Sequence, residues 1–332
     1  MAEEAGLSHG APRRAQGGGT LMRRRPLALT LGVGRGLKLR IVERPGACLP
    51  PAAMESLLAD LRGVAGRVLA EGELDYGVLS GSPERLANSV ITVVYDARTR
   101  RPVAFNALAL MELDLGGRPL ELLHLGLVMV DPDYRSRGLS DLLYGLTCVL
   151  LFLRCQCRPM RLSNVTQVPA VFGMVAETFD QVFPRPGVSV NPSFAHRTLA
   201  RQILARHRHV FGVGPEAVFD EERSVIQNAY TGGSDDLKKT FEAAPKHRKD
   251  DYNAMCAQEL DYARGDDFLQ IGQINMAAAA RYISRIVKPH SAPWLAAQLA
   301  LIAVQSALLP VIHWFADDQP WGALRPWRNV RS

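Results

Sequence analysis

The stretch Leu142-Leu-Tyr-Gly-Leu-Thr-Cys-Val-Leu-Leu-Phe-Leu153 constrains this chain more than any other. As a helix it has hardly a polar face, so it must be covered on every side. The spacing predicts that helix over 141–153, at the centre of a core.

The flanks supply a sheet to cover it. Residues 37–43 alternate enough to form a strand. Pro50 and Pro51 open a helix whose apolar residues, Met54, Leu57, Leu58, Leu61, Val64 and Val68, recur near the helical period. The β-branched run 89–95 and the apolar run 103–113 flank a polar turn and predict a hairpin. Gly116-Gly117 makes a second turn, and an apolar strand follows over 120–130, stopped by Pro132. After the apolar helix come a strand over 160–165 and a helix over 169–183, bounded by Pro184 and Pro186. The order β-α-β-β-β-α-β-α predicts a mixed α/β (α+β) sheet domain over 36–195. Residues 196–332 read as a largely helical extension: a helix over 196–210, charged helices and loops over 234–267, a short strand at 268–274 and a helix over 275–287. Within it, 289–316 contains no Asp, Glu, Lys or Arg.

Charge excludes one class of partner. The chain carries a net charge of +6 over 332 residues. Residues 1–47 alone hold nine basic and three acidic residues, so the remainder is neutral overall. The basic character belongs to a Gly-, Ala- and Arg-rich front end over 1–35, read as a mostly disordered tail. A basic groove across the body is not expected, and nucleic acid is not an expected partner. The front end suits anionic lipid headgroups instead. Five cysteines are an odd count with no dense framework, which points to a reducing compartment. Cys155-x-Cys157 lacks the second pair that structural zinc needs, so no metal site is expected.

Chemistry concentrates at the turn between the strand over 120–130 and the apolar helix. A strand end, a turn with one glycine and two arginines, and a helix start follow one another. The first N–H groups of a helix have no intrahelical acceptor, and the helix dipole adds positive potential there. Gly138 lets backbone approach an anion without a Cβ in the way, and Arg135 and Arg137 add charge. The alternative is a surface turn with two solvated arginines. The pattern is neither a P-loop nor a dinucleotide fingerprint.

Arg135-Ser136-Arg137-Gly138-Leu139-Ser140 resembles the acyl-CoA-binding motif of the GNAT acetyltransferase superfamily, Q/R-x-x-G-x-G/A between a strand and a helix. The sixth position is Ser in place of Gly or Ala. The preceding Val-Met-Val-Asp-Pro, the element order over 37–190 and Leu162-Ser-Asn-Val165 as the next strand extend the likeness to about half the chain. The resemblance implies a GNAT-like fold in which two central strands splay. The pantetheine arm lies between them, with its amides on the backbone around Val128 and Val130. The pyrophosphate sits on residues 135–140. Acyl-CoA is then a co-substrate, with no permanently bound cofactor and no metal.

The implied reaction is attack of an amine on a thioester, which benefits from a general base, an oxyanion donor and a proton for the thiolate. In many members a Glu stands about eleven residues before the first motif position. Here that count reaches His124, whose ordinary pKa near 6.5 suits a base. Strand alternation would put it on the same face as Val128 and Val130. A hydrogen-bonded core histidine is the competing reading. Glu121 and Glu112 are weaker candidates. No Tyr occurs over 163–183, where many members place the acid, so a water could serve. Asn164 is a candidate for hydrogen bonding to cofactor or acceptor, or a structural turn residue.

Three features lean toward a hydrophobic amine acceptor. The apolar helix is the first. The second is 293–316, long enough to cross a bilayer and flanked by Trp294, Trp314 and Trp321, yet carrying Gln298 and Gln305 on one face. It is expected to lie in the interface or roof an apolar channel. The basic front end is the third. Together they suggest N-acylation of a lipid-like amine at a membrane surface, similar in kind to the bacterial ceramide synthases. The enzyme would then be cytoplasmic or peripheral on the cytoplasmic face of the inner membrane. Two alternatives stay open: an acetyltransferase acting on a polar small amine or protein lysine, and a non-catalytic acyl-CoA sensor.

Overall fold

The computed structural model describes residues 26–34, 36–69, 77–135, 137–187, 192–232 and 234–286, with isolated positions 293, 296, 297, 300 and 304. Ser136, most of the 1–35 tail and nearly all of 293–316 therefore lie outside the described residues.

The structure is mixed α/β. β1 (Ala28–Gly34) and β2 (Leu37–Glu43) pair antiparallel. The end of the expected tail is thus a strand. Leu31 is fully buried, and Leu29 and Val33 pack on the same core. α1 (Pro51–Val68) follows, and then β3 (Ser89–Asp96), β4 (Pro102–Leu115) and β5 (Arg118–Val130) form an antiparallel meander. The helical stretch α2 covers 139–154, with a π-turn at Leu142–Leu146 between its α-helical ends. β6 (Met160–Thr166) runs parallel to β5.

The next element departs from expectation. α3 (Pro169–Thr178) ends early, and β7 (Asp180–Phe183) pairs with a later strand. α4 (Phe194–Arg206), β8 (Val218–Asp220), β9 (Val225–Gln227), α5 (Asp250–Glu259), β10 (Asp267–Ile274) and α6 (Met276–Ile286) complete the described chain. Described strands form one ten-stranded sheet in the order β1-β2-β3-β4-β5-β6-β10-β9-β8, with β7 on β10. The extension beyond 195 is therefore partly sheet. β10 covers the free edge of β6 from Phe268↔Thr166 to Ile274↔Met160, which satisfies backbone groups that burial would otherwise leave unpaired. The boundary near 195 separates no two cores.

Both sheet faces are covered. α2 packs on one, and its residues Leu143 to Phe152 are all buried, as its composition requires. Its π-turn leaves a carbonyl without a helical donor. Asn106 of β4 supplies one, its Nδ2 lying 2.8 Å from Leu143 O. α6 closes over α2 with Tyr282 against Gly145, where a Cβ would stand 1.7 Å from the ring. On the opposite face, α1 buries Leu57, Leu61 and Val64 against Phe105 and Met129, and α4 buries Leu199 and Ile203 against Met111 and Leu122. Among the described residues no helix is long and apolar enough to cross a membrane.

Candidate active site

The site begins with a fork in the sheet. β5 and β6 pair over only Leu123↔Leu162, His124↔Ser163 and Leu125↔Asn164. Both strands run on, β5 to Val130 and β6 to Thr166, without pairing to each other. Among the described residues the β5 edge at 126–130 therefore has no strand partner toward β6. The backbone positions expected to hold pantetheine, Val128 and Val130, lie on this edge.

A β-bulge sits at the mouth of the fork. Ala107 opposes Leu127 but Ala109 opposes His124, so β5 carries one residue more than β4. Gly126 lies within this irregularity, and a Cβ there would stand 2.4 Å from Ala107 O. The extra residue reverses the side-chain phase along β5. Val128 and Val130 pack toward α2, whereas His124 packs toward α4, its ring 5.1 Å from that of Phe211. The expectation that His124 shares a face with Val128 and Val130 is thereby corrected, because period-two alternation does not survive a bulge.

At the far end of β5 the turn into α2 is braced from below. Asp131 is buried and accepts hydrogen bonds from Arg67 Nε at 2.6 Å and from Arg101. Burial pushes its carboxyl pKa up, but the two guanidinium hydrogen bonds outweigh it and the net direction is down. Arg137 stacks on Tyr134 at 4.5 Å and donates to Asp133 O at 3.0 Å. Gly138 caps the helix with φ +74°, and no atom lies within 4 Å of where its Cβ would be. The space in front of it is open. Arg135, Arg137, Gly138 and Ser140 are exposed and Leu139 is buried. The helix-start amides point out of this turn by the geometry of an α-helix. The turn thus has the parts of an anion cradle.

On the face of α1 and α4 lies a cavity of about 780 Å³. His124 and Gly126 line it on the sheet side, Arg85 on one flank and Arg206 and His207 on the other. His124 is 3% exposed, and Ser163 Oγ lies 3.0 Å from its Nδ1. Nε2 makes no hydrogen bond among the described residues. Burial takes the imidazole pKa down to about 3. The ring is neutral throughout the physiological range, as a core histidine would be, yet it lines the cavity.

The other expected residues disperse. Glu121 is exposed, ion-paired with Arg44, and is not among the cavity walls. Partial desolvation raises its pKa. Asn164 is buried, with its Nδ2 donating to Gln270 Oε1 at 3.1 Å, which ties β6 to β10. One residue escaped the sequence reading: the hydroxyl of Tyr144, in the π-turn of α2, donates to Gly126 O at 2.6 Å. The resemblance places a phenol after β6, and nothing in the sequence marks the register of a π-turn. Gly126 is therefore reached from both sheet faces, by Tyr144 on one and the cavity on the other. Among the described residues no cluster of His, Cys, Asp and Glu forms a metal site, and all five cysteines are unbridged.

No protein-family model and no curated protein matches the chain. Among solved structures it is similar to a ribosomal-protein-S5-alanine acetyltransferase from Vibrio fischeri, at 10% identity over 75% of this chain and 97% of that one, with a TM-score of 0.34. It is similar to a chimeric spermidine N-acetyltransferase SpeG from Vibrio cholerae, at 12% identity over 75% and 99%, with a TM-score of 0.32. An acetyltransferase from Trypanosoma brucei shares 26% identity over 34% of this chain and 73% of its own, with a TM-score of 0.23. At such scores these likenesses fix no activity for this chain.

Proposed function

We propose that the chain is an acyl-CoA-dependent N-acyltransferase of the GNAT kind. The observation that supports this best is the fork. A strand edge without a strand partner runs from the turn bearing the exposed Arg135, Arg137 and Gly138 to Gly126, and Gly126 forms part of the wall of a separate cavity. A long thioester with a pyrophosphate at one end fits such a path. It would enter from the α2 face, with its pantetheine amides on the 126–130 edge and its carbonyl at the bulge. The amine would come from the cavity.

In this reading the neutral amine attacks the thioester carbonyl. A C–N bond forms, the C–S bond breaks, and the ammonium proton leaves to water. With a pKa near 3, His124 is a poor store for that proton. Its proposed role is to accept a hydrogen bond at Nε2 from the incoming amine, while Ser163 fixes the ring. Tyr144, at the fork, is the proposed proton donor to the leaving thiolate, and its phenolate regains a proton from water, so the proton lost by the amine balances the one taken up by the thiol.

A lipid-like acceptor rested on the apolar helix, which is buried against the sheet and α6, and on the tail and 293–316, most of which lie outside the described residues. The cavity favours the other acceptor class, a polar amine, because charged and polar side chains line its flanks. Thiol release from acetyl-CoA and palmitoyl-CoA, across polar amines and long-chain bases, tests this. Acetyl-CoA with a polar amine is expected to be the faster pair, and a chelator should not change the rate. Tight CoA binding with no thiol release to any amine would favour a sensor instead.

A further inference from the structure

We infer that the amine received by the cavity carries a carboxylate of its own, as a free amino acid or short peptide does. This rests on the acyl-transfer reading above and adds the acceptor's class. Four charged residues line the cavity without an ion pair among the described residues: Arg85 and Glu84 from the one-turn helix Pro83–Ala87, Arg206 from the last turn of α4, and Glu112 from β4. Elsewhere on the same half of the molecule, arginines find carboxylates. Arg201 grips Glu221 through two bonds of 2.6 and 2.8 Å, Arg223 meets Glu259 at 2.6 Å, and Arg264 meets Asp266 at 2.7 Å. The cavity brings charge of both signs together without an ion pair among the described residues.

Arg85 is held at the wall by one hydrogen bond, from NH1 to Gly77 O at 3.3 Å, which leaves most of its fork free. Arg206 makes no hydrogen bond among the described residues. The two guanidinium groups come from different elements, the helix Pro83–Ala87 and the last turn of α4, and share the cavity lining with His124 and Gly126. A carboxylate is the planar anion that such forks bind, and Glu84 and Glu112 balance an ammonium. A polyamine would meet two unmatched arginines. A polyphosphate would meet two unmatched carboxylates. An aliphatic chain would leave all four unpaired. Burial lowers the pKa of His207, whose Nε2 lies 3.2 Å from Glu112 O, and His209 is exposed to solvent.

The test compares an equimolar pool of amino acids and dipeptides with a pool of their C-terminal amides. Thiol release from acetyl-CoA and thermal shift at saturating CoA are both read. The acid pool should show kcat/KM roughly 10- to 100-fold above the amide pool, the range expected for a charge-assisted hydrogen bond. Arg85→Gln with Arg206→Gln should erase that ratio and leave the KM for acetyl-CoA unchanged, which also shows that the variant is folded. Equal rates and equal shifts for acids and amides, or a ratio that survives both substitutions, would overturn the inference even if acyl transfer is real. Failure of CoA to bind would instead sink the acyl-transfer reading, and the carboxylate-dependent shift of the free protein would then decide this inference alone.

Discussion

At the residue scale, His124 shows what a sequence position cannot carry. Its spacing from Arg135 suggested a base, but burial fixes its chemistry, and burial follows from a bulge that brings it toward Phe211. Two outcomes follow. With a folded pKa near 3 against an unfolded value near 6.5, the unfolded chain binds the proton more readily below pH 6.5. His124 therefore contributes stability above pH 6.5 that is lost as pH falls toward 3. The stability advantage of the wild type over His124→Gln should shrink by up to ~1.4 kcal/mol per pH unit in that window, as read by urea unfolding. The rate should rise with pH through the pKa of the amine substrate and show no limb near 6.5. A limb near 6.5 that vanishes in His124→Gln would restore the base role. For Tyr144, replacement by Phe should lower kcat roughly a hundredfold with little change in the KM for acyl-CoA, measured by steady-state thiol release.

At the scale of elements, most of the sheet was legible because period and turn chemistry are local. β2 lies where alternation put it, and β3, β4 and β5 differ from expectation by a few residues at their ends. What was not legible depends on partners distant in sequence. β1 is a strand because β2 offers an edge, β10 because β6 would otherwise be unpaired on that side, and β7 because β10 in turn offers it pairing. The Gly138 turn was legible as a strand-to-helix turn, whereas the cavity was not, since its lining comes from Pro83–Ala87 and the end of α4, more than a hundred residues apart. The π-turn was likewise invisible, although Gly145 within it has a clear use. Gly145→Ala would drive a methyl into the Tyr282 ring. It should cost about 1–3 kcal/mol and lower the melting temperature, as calorimetry would show, because α6 must lift or tilt to make room. An unchanged melting temperature would mean that α6 does not hold its place over α2.

At the scale of the whole molecule, one sheet separates two kinds of chemistry. The α2 face carries the proposed anion cradle and a strand edge without a strand partner, and the α1/α4 face carries a cavity of about 780 Å³. Gly126 is where the two meet, with Tyr144 bonded to its carbonyl. The account stands or falls on whether CoA enters through the cradle, and calorimetric titration of CoA into three proteins measures this most directly. The wild type should bind. Gly138→Asn tolerates the positive φ of that position and adds no charge, so it should bind more weakly. Gly138→Asp is similar in size but sets a carboxylate against the pyrophosphate, and it should show no binding. Equal affinity for CoA in the wild type and Gly138→Asp would contradict the account, since the phosphates would then lie elsewhere.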